Sequence, residues 1–331
     1  MRPTVCQRVI VAGTLMIAAF VSSTTLIPAC AAPTKSAKTE LVAFDNSPFP
    51  YTGQPPGQDK PFYDLEKDGR RGHTSPRGGV YWEDVTYSDR RVLLHIPRGF
   101  NPALPALMIV YLHGNMTNLE SVVYRHQQVP RQVSESGLNA VLVAPQFAVN
   151  ALDSSAGRFY EAGHFRRFVE EAGVRLARLN GDGRARPAIE SLPVILVAYS
   201  GGYAPAAWAV HHGGIGDRLR GVILLDALYA ELDKFAAWIE KRHSAFFFSA
   251  YSRSARDENA ALQQLLAERG IDFLSTLPQR LGPGRVVFVA APEEVLHGEF
   301  VNRAWVDDPL RDVLARIPGY PRTPPPKARK R

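Results

Sequence analysis

A mostly parallel sheet of eight strands, flanked by helices on a single main domain, is the α/β architecture this sequence predicts. Two observations carry it. Short runs of purely apolar residues, such as 107–112 and 194–198, match strands buried on both faces of a parallel sheet. Between such runs lie stretches with apolar residues at helical spacing, as crossover connections require. The size agrees, because 331 residues with 45% hydrophobic content can bury one large core.

Taken in order, residues 1–32 read as a secretory signal. Arg2 and Arg8 precede an apolar stretch, 9–21, that is too short for a comfortable membrane span. Ala29-Cys30-Ala31 fits ordinary signal cleavage, whereas Ile27-Pro28-Ala29-Cys30 resembles a bacterial lipoprotein box, after which Cys30 carries lipid and anchors the chain to a membrane. Both routes stay open, and both predict an exported protein: periplasmic, held at the cell envelope, or secreted. Residues 33–77 are Pro-, Gly- and polar-rich without sustained periodicity, which predicts a tether and a leading loop.

The folded domain is expected over 78–318. Residues 80–87 and 91–97 predict an opening antiparallel pair, and 107–112 the third strand. Thr117-x-x-Glu120 is a capping-box pattern that starts a helix, with Pro130 breaking or kinking it. Residues 139–144 form the next strand. Phe165, Phe168, Val169, Leu176 and Leu179 lie on one helical face, ended by Asn180-Gly181-Asp182-Gly183. Strands at 194–198, 221–225, 245–251 and 285–290 complete the eight. The segment 227–244 reads as one amphipathic helix, leaving no room for a large cap domain there. Residues 319–331 predict a basic, disordered tail.

The net charge of +7 invites a nucleic-acid reading, but it belongs to the chain ends. Arg2, Arg8, Arg322, Lys327, Arg329, Lys330 and Arg331 account for all of it, and residues 9–321 are balanced. No basic stripe with interleaved aromatics appears, so nucleic acid is not an expected partner. Cys6 is lost with the signal, which leaves at most Cys30 in the mature chain. An intramolecular disulfide and a cysteine-based metal site are therefore excluded. No His-Glu-x-x-His pattern is present, and the adjacent His211 and His212 point to different sides of a helix. No metal or other cofactor is expected.

The most informative stretch is Ala198-Tyr199-Ser200-Gly201-Gly202. Ser200 falls on an abrupt turn from an apolar strand into a helix, with small residues on either side. Such a turn exposes a hydroxyl and aims a helix N-terminus at charge developing beside it. This is a one-residue variant of the Gly-x-Ser-x-Gly nucleophile elbow, with Ala198 for the first glycine, and the chain resembles the α/β-hydrolase superfamily over roughly 78–318. The resemblance implies that Ser200 is a nucleophile and that the N–H of Gly201 is one oxyanion donor. The second donor would come from Asn115 or Met116, after His113-Gly114, where members of the superfamily carry a His-Gly motif. His113 itself reads as a structural hydrogen-bonder.

The base of such a site lies late in the chain, and His297 in His297-Gly298-Glu299-Phe300 is the only histidine beyond His243. Two carboxylates compete for the acid. Asp257 lies in the loop after the seventh expected strand, where most members of the superfamily place theirs. Asp226 ends the sixth, which fixes a side chain more firmly, and is chosen narrowly with Asp257 as the alternative. The order Ser200, acid, His297 is that of the fold. The function implied is hydrolysis of a small-molecule ester, or an amide, through an acyl-enzyme on Ser200. The alternative is a non-catalytic envelope binding protein that keeps the fold.

Overall fold

In a computed structural model, which describes residues 32–323, the apolar runs assemble as neighbouring strands. In chain order these are β1 (Lys38–Ala43), β2 (Leu65–Lys67), β3 (Arg70–Thr74), β4 (Val80–Trp82), β5 (Arg91–Ile96), β6 (Leu107–Leu112), β7 (Ala140–Pro145), β8 (Val194–Tyr199), β9 (Leu219–Leu225), β10 (Phe246–Tyr251) and β11 (Val286–Ala290). The main sheet has eight strands in the order β1-β5-β7-β6-β8-β9-β10-β11, and a small second sheet joins β2, β3 and β4. Strand β5 pairs antiparallel with both of its neighbours, and the pairings from β7 through β11 are parallel.

Alternation along each strand divides the core in two. Val110, Leu112, Leu196, Ala198, Val222 and Leu224 face one side. There they meet α2 (His164–Asn180), α4 (Tyr203–His212), α5 (Leu232–Lys241) and α6 (Arg256–Glu268). Ile109, Tyr111, Ile195, Val197, Ile223 and Leu225 face the other, against α1 (Val129–Glu135) and α7 (Pro309–Ala315). Both faces of the central strands are buried, which is why their sequences are apolar throughout instead of alternating. A short α3 (Arg186–Glu190) precedes β8. Between β9 and β10 there is one helix, α5, packed by Phe235, Trp238 and Ile239, in keeping with the expected lack of a cap domain at that connection.

Five expectations need correction. Residues 33–77 are not a tether: β1 is the first strand of the main sheet, and Phe44, Phe49, Tyr51 and Phe62 are buried in the core. Residues 80–87 do not pair with 91–97; β4 pairs with β3, and β5 takes β1 as its outer neighbour. The tail begins folded, since Arg322 donates to the carbonyls of Ala315 (2.6 Å) and Ile317 (2.8 Å), and the Thr323 N–H to that of Gly137 (2.7 Å). The capping residue after β6 is Asn118, whose side chain accepts from the Ser121 N–H, rather than Thr117. Pro130 opens α1 rather than breaking a helix, because its missing N–H is tolerated in a first turn.

Residues 1–31, which hold Cys30 and nearly all of the expected signal, and the tail from residue 324 lie outside the described residues. No described helix is long and apolar enough to cross a membrane.

Candidate active site

Strand β8 ends at Tyr199, and the chain turns at once into α4 through Ser200-Gly201-Gly202. Ser200 has a φ of 51°, a left-handed conformation that costs a non-glycine residue on the order of 1–3 kcal/mol. Two glycines permit the turn. A Cβ on Gly202 would overlap the Leu112 carbonyl oxygen of β6, so the elbow packs against the neighbouring strand only without a side chain. A Cβ on Gly114 would lie 2.7 Å from the Ser200 Cβ and 3.2 Å from its Oγ. The glycine of His113-Gly114 therefore makes room for the hydroxyl.

The structure brings Ser200, His297 and Asp226 together. Ser200 Oγ lies 2.7 Å from His297 Nε2, and His297 Nδ1 lies 2.6 Å from Asp226 Oδ2. Asp226, at the C-terminal end of β9, is fully buried, and its φ of 46° turns it toward the imidazole. Its carboxylate also accepts from the Ser252 N–H (2.8 Å), the Ser252 hydroxyl (2.7 Å) and the Ser254 hydroxyl (3.0 Å). Burial alone would raise its pKa. The hydrogen bonds from His297 and from Ser252 outweigh burial and hold it below the usual carboxylate value. An ionised Asp226 accepts the Nδ1 proton of His297, which leaves Nε2 as the acceptor facing Ser200.

His297 is held from three sides. Its ring stacks on Tyr199, at 5.4 Å between centroids, and its carbonyl accepts from the Tyr199 hydroxyl at 2.9 Å. The Tyr229 hydroxyl lies 3.1 Å from Nδ1 and 2.8 Å from Ser254 Oγ. Asp257 is not part of this arrangement: it is exposed in the first turn of α6, where a carboxylate suits the helix N-terminus.

Of the donors expected for an oxyanion, Gly201 stands second in the turn after β8, so its N–H has no preceding carbonyl to bond within that turn. Met116 is excluded, because its N–H donates to the Ala151 carbonyl at 2.9 Å and its side chain is exposed. Asn115 remains. The amide orientation that satisfies its neighbours has the side-chain nitrogen donating to the Asp153 carbonyl (2.8 Å) and to Ser154 Oγ (3.2 Å), and the oxygen accepting from the Arg77 guanidinium (3.2 Å). His113 is structural: Nδ1 lies 2.7 Å from the Gly114 carbonyl, and Nε2 accepts from the Phe147 N–H at 2.9 Å. Burial lowers its pKa to about 4, so the ring is neutral and braces the turn.

Sequence reasoning missed Tyr199, Tyr229, Ser252, Ser254 and Arg77. Tyr199 and Tyr229 adjoin Ser200 and Asp226 by only a few residues, and that proximity was the available signal. Nothing in the local pattern around Arg77 pointed to the site. Among the described residues, no group of three or more His, Cys, Asp or Glu side chains is placed to hold a metal ion.

No protein-family model matches the chain, and no curated protein matches it. Several solved structures are similar in shape at low sequence identity. A feruloyl esterase module from Clostridium thermocellum is 13% identical with a TM-score of 0.46, over 81% of this chain and 95% of that one. An S-formylglutathione hydrolase from Agrobacterium tumefaciens is 12% identical with a TM-score of 0.41, over 76% and 97%. A hyperthermophilic esterase from the archaeon Pyrobaculum calidifontis is 15% identical with a TM-score of 0.40, over 70% and 77%. The strand order, the reversed second strand and the sharp turn after the fifth strand of the main sheet give this chain the α/β-hydrolase fold.

Proposed function

We propose that the protein is a serine hydrolase that cleaves a carboxylic ester through an acyl-enzyme on Ser200. One observation carries the reading: a continuous hydrogen-bonded line from Ser200 Oγ to His297 Nε2 at 2.7 Å and from His297 Nδ1 to Asp226 at 2.6 Å. In this reading Nε2 takes the Oγ proton as Oγ bonds to the ester carbonyl carbon. The acyl C–O bond then breaks, and the same proton passes to the departing alkoxide, releasing the alcohol. Water, deprotonated by His297, attacks the acyl-enzyme and frees the acid and Ser200. Asp226 keeps the imidazole in the required tautomer and balances its transient positive charge. The N–H groups of Gly201 and Asn115 serve the oxyanion. Export belongs to the same proposal and rests on the N-terminal sequence, with Cys30 lipidated or the signal simply cleaved.

The test is reaction with a fluorophosphonate, which phosphonylates an activated serine. The wild-type protein should be labelled at Ser200, and Ser200→Ala should abolish labelling. Labelling that persists in the variant would place the reactive group elsewhere. A folded wild-type protein that resists the reagent and turns over no ester would favour the non-catalytic binding role instead.

A further inference from the structure

We propose that Arg77 is a specificity residue of this site and recognises a carboxylate on the substrate, so that the preferred esters carry an anionic group beside the scissile bond. The inference rests on the hydrolase reading above and narrows its substrate.

Arg77 belongs to the β3–β4 turn of the small sheet, yet its side chain reaches Tyr229 and Asn115, which flank the catalytic line. The turn is tied in place. The Gly78 N–H donates to the Ser75 carbonyl at 2.9 Å and the Arg77 N–H to Ser75 Oγ at 3.2 Å. Ser75 Oγ in turn donates to the Leu152 carbonyl at 2.7 Å, and the Leu152 N–H donates to the Tyr81 hydroxyl at 3.1 Å. The turn is thus fastened to the loop that brings Ser154 to Asn115.

From that position the guanidinium lies over the ring of Tyr229, 6.0 Å from its centroid, and, with the Asn115 amide in the orientation that satisfies its neighbours, donates to the Asn115 side-chain oxygen at 3.2 Å. Tyr229 touches His297, and Asn115 adjoins the Gly114 that packs on Ser200. The ring face and the amide hold the fork without neutralising it. Arg70 and Arg71, on the same hairpin, are each bound bidentately by a carboxylate, Asp84 and Glu83. Among the described residues Arg77 forms no ion pair. Three nearby acids are engaged elsewhere, Asp226 with His297, Asp153 with the Tyr87 hydroxyl and Glu231 with Lys234, and Glu258, also near Tyr229, forms no ion pair with Arg77. A guanidinium has five N–H donors, and one contact to Asn115 leaves an edge for the two oxygens of a carboxylate. Exposed Met116 and Leu296, next in sequence to Asn115 and His297, supply apolar surface for the body of such a substrate.

The experiment compares 4-acetoxybenzoate with methyl 4-acetoxybenzoate, which differ in one negative charge. The readout is the ratio of their kcat/KM values within each protein. Arg77→Gln should lower the ratio of anionic to neutral ester by about tenfold, which is what one charge-assisted contact at an exposed site supports. Arg77→Lys should keep part of the preference, since charge survives without the fork. Added salt should lower the wild-type ratio and leave that of Arg77→Gln little changed. Benzoate should also slow fluorophosphonate labelling of the wild type more than that of Arg77→Gln. A ratio and a protection by benzoate that are the same in wild type and Arg77→Gln would overturn the inference while leaving the hydrolase reading intact. Failure of both esters to turn over, with no labelling at Ser200, would instead remove the hydrolase reading and this inference with it.

Discussion

At the scale of single residues, the choice between Asp226 and Asp257 shows what a sequence leaves open. Each carboxylate follows a strand of the sheet, and topology alone favours Asp257. The structure separates them by environment: Asp226 is fully buried with donors from Ser252, Ser254 and His297, whereas Asp257 is exposed on α6. Replacing Asp226 with Asn keeps its shape but removes the charge that balances the imidazolium, and it lets an amide N–H face Nδ1. In the serine-protease triad such a change lowers kcat by about 10⁴-fold, and a loss of that order is expected for Asp226→Asn. Asp257→Asn should stay within about twofold, as exposed substitutions away from a site do. Turnover of one activated ester by the two purified variants decides, and a larger loss in Asp257→Asn would reverse the assignment. Ser200, Asp226 and His297 were legible because strand ends and chain order constrain them. Ser252 and Arg77 were not, because each reaches the site by tertiary packing that leaves no periodic trace.

At the scale of elements, the β8 elbow and the parallel strands were readable, and the first strand was not. Lys38–Ala43 is an edge strand with no fully buried residue, so it lacks the apolar run that reveals β6 or β8. Its hydrogen bonds come from β5, roughly fifty residues away, a pairing that local pattern does not encode. The segment that follows has enough Pro, Gly and polar residues to read as a tether. Its four aromatic anchors, Phe44, Phe49, Tyr51 and Phe62, are diluted among them yet fill the core beside α2. Lys38 makes the docking testable. Its ammonium donates to the carbonyls of Leu179 (2.9 Å) and Asn180 (2.8 Å), the last two residues of α2, where a positive charge also meets the negative end of the helix. Lys38→Met should cost about 1–2 kcal/mol and lower Tm by about 2–4 °C, with Lys38→Arg in between. An unchanged Tm in thermal unfolding would mean that β1 does not cap α2.

At the scale of the whole molecule, buried histidines set the response to acid. His95 on β5, His113 after β6 and His164 at the start of α2 are all buried, and burial lowers each pKa to about 4; for His164 the charge of Arg158 adds to the effect. In the unfolded chain these groups titrate near the ordinary value of 6.5. Between pH 6.5 and 4 the unfolded state therefore binds more protons than the native state, and stability falls as pH falls. The contribution is fully present above 6.5 and is lost as pH drops through the folded values. For His95 and His113 it is on the order of 3 kcal/mol each. The carboxylates of Asp226 and Glu171 do not compete in this window, because their hydrogen bonds hold both below the usual range and delay their loss to lower pH. Urea midpoints should be level from pH 8 to 7 and should decline steadily from 6.5 to 4. His95 contacts Thr39 of β1 and Ser134 of α1, at 2.7 and 2.8 Å, so His95→Gln can retain a polar link while removing the titration. That variant should show a shallower decline, and a wild-type midpoint that held or rose between pH 6.5 and 4 would mean that these rings take up protons without unfolding the layers they join.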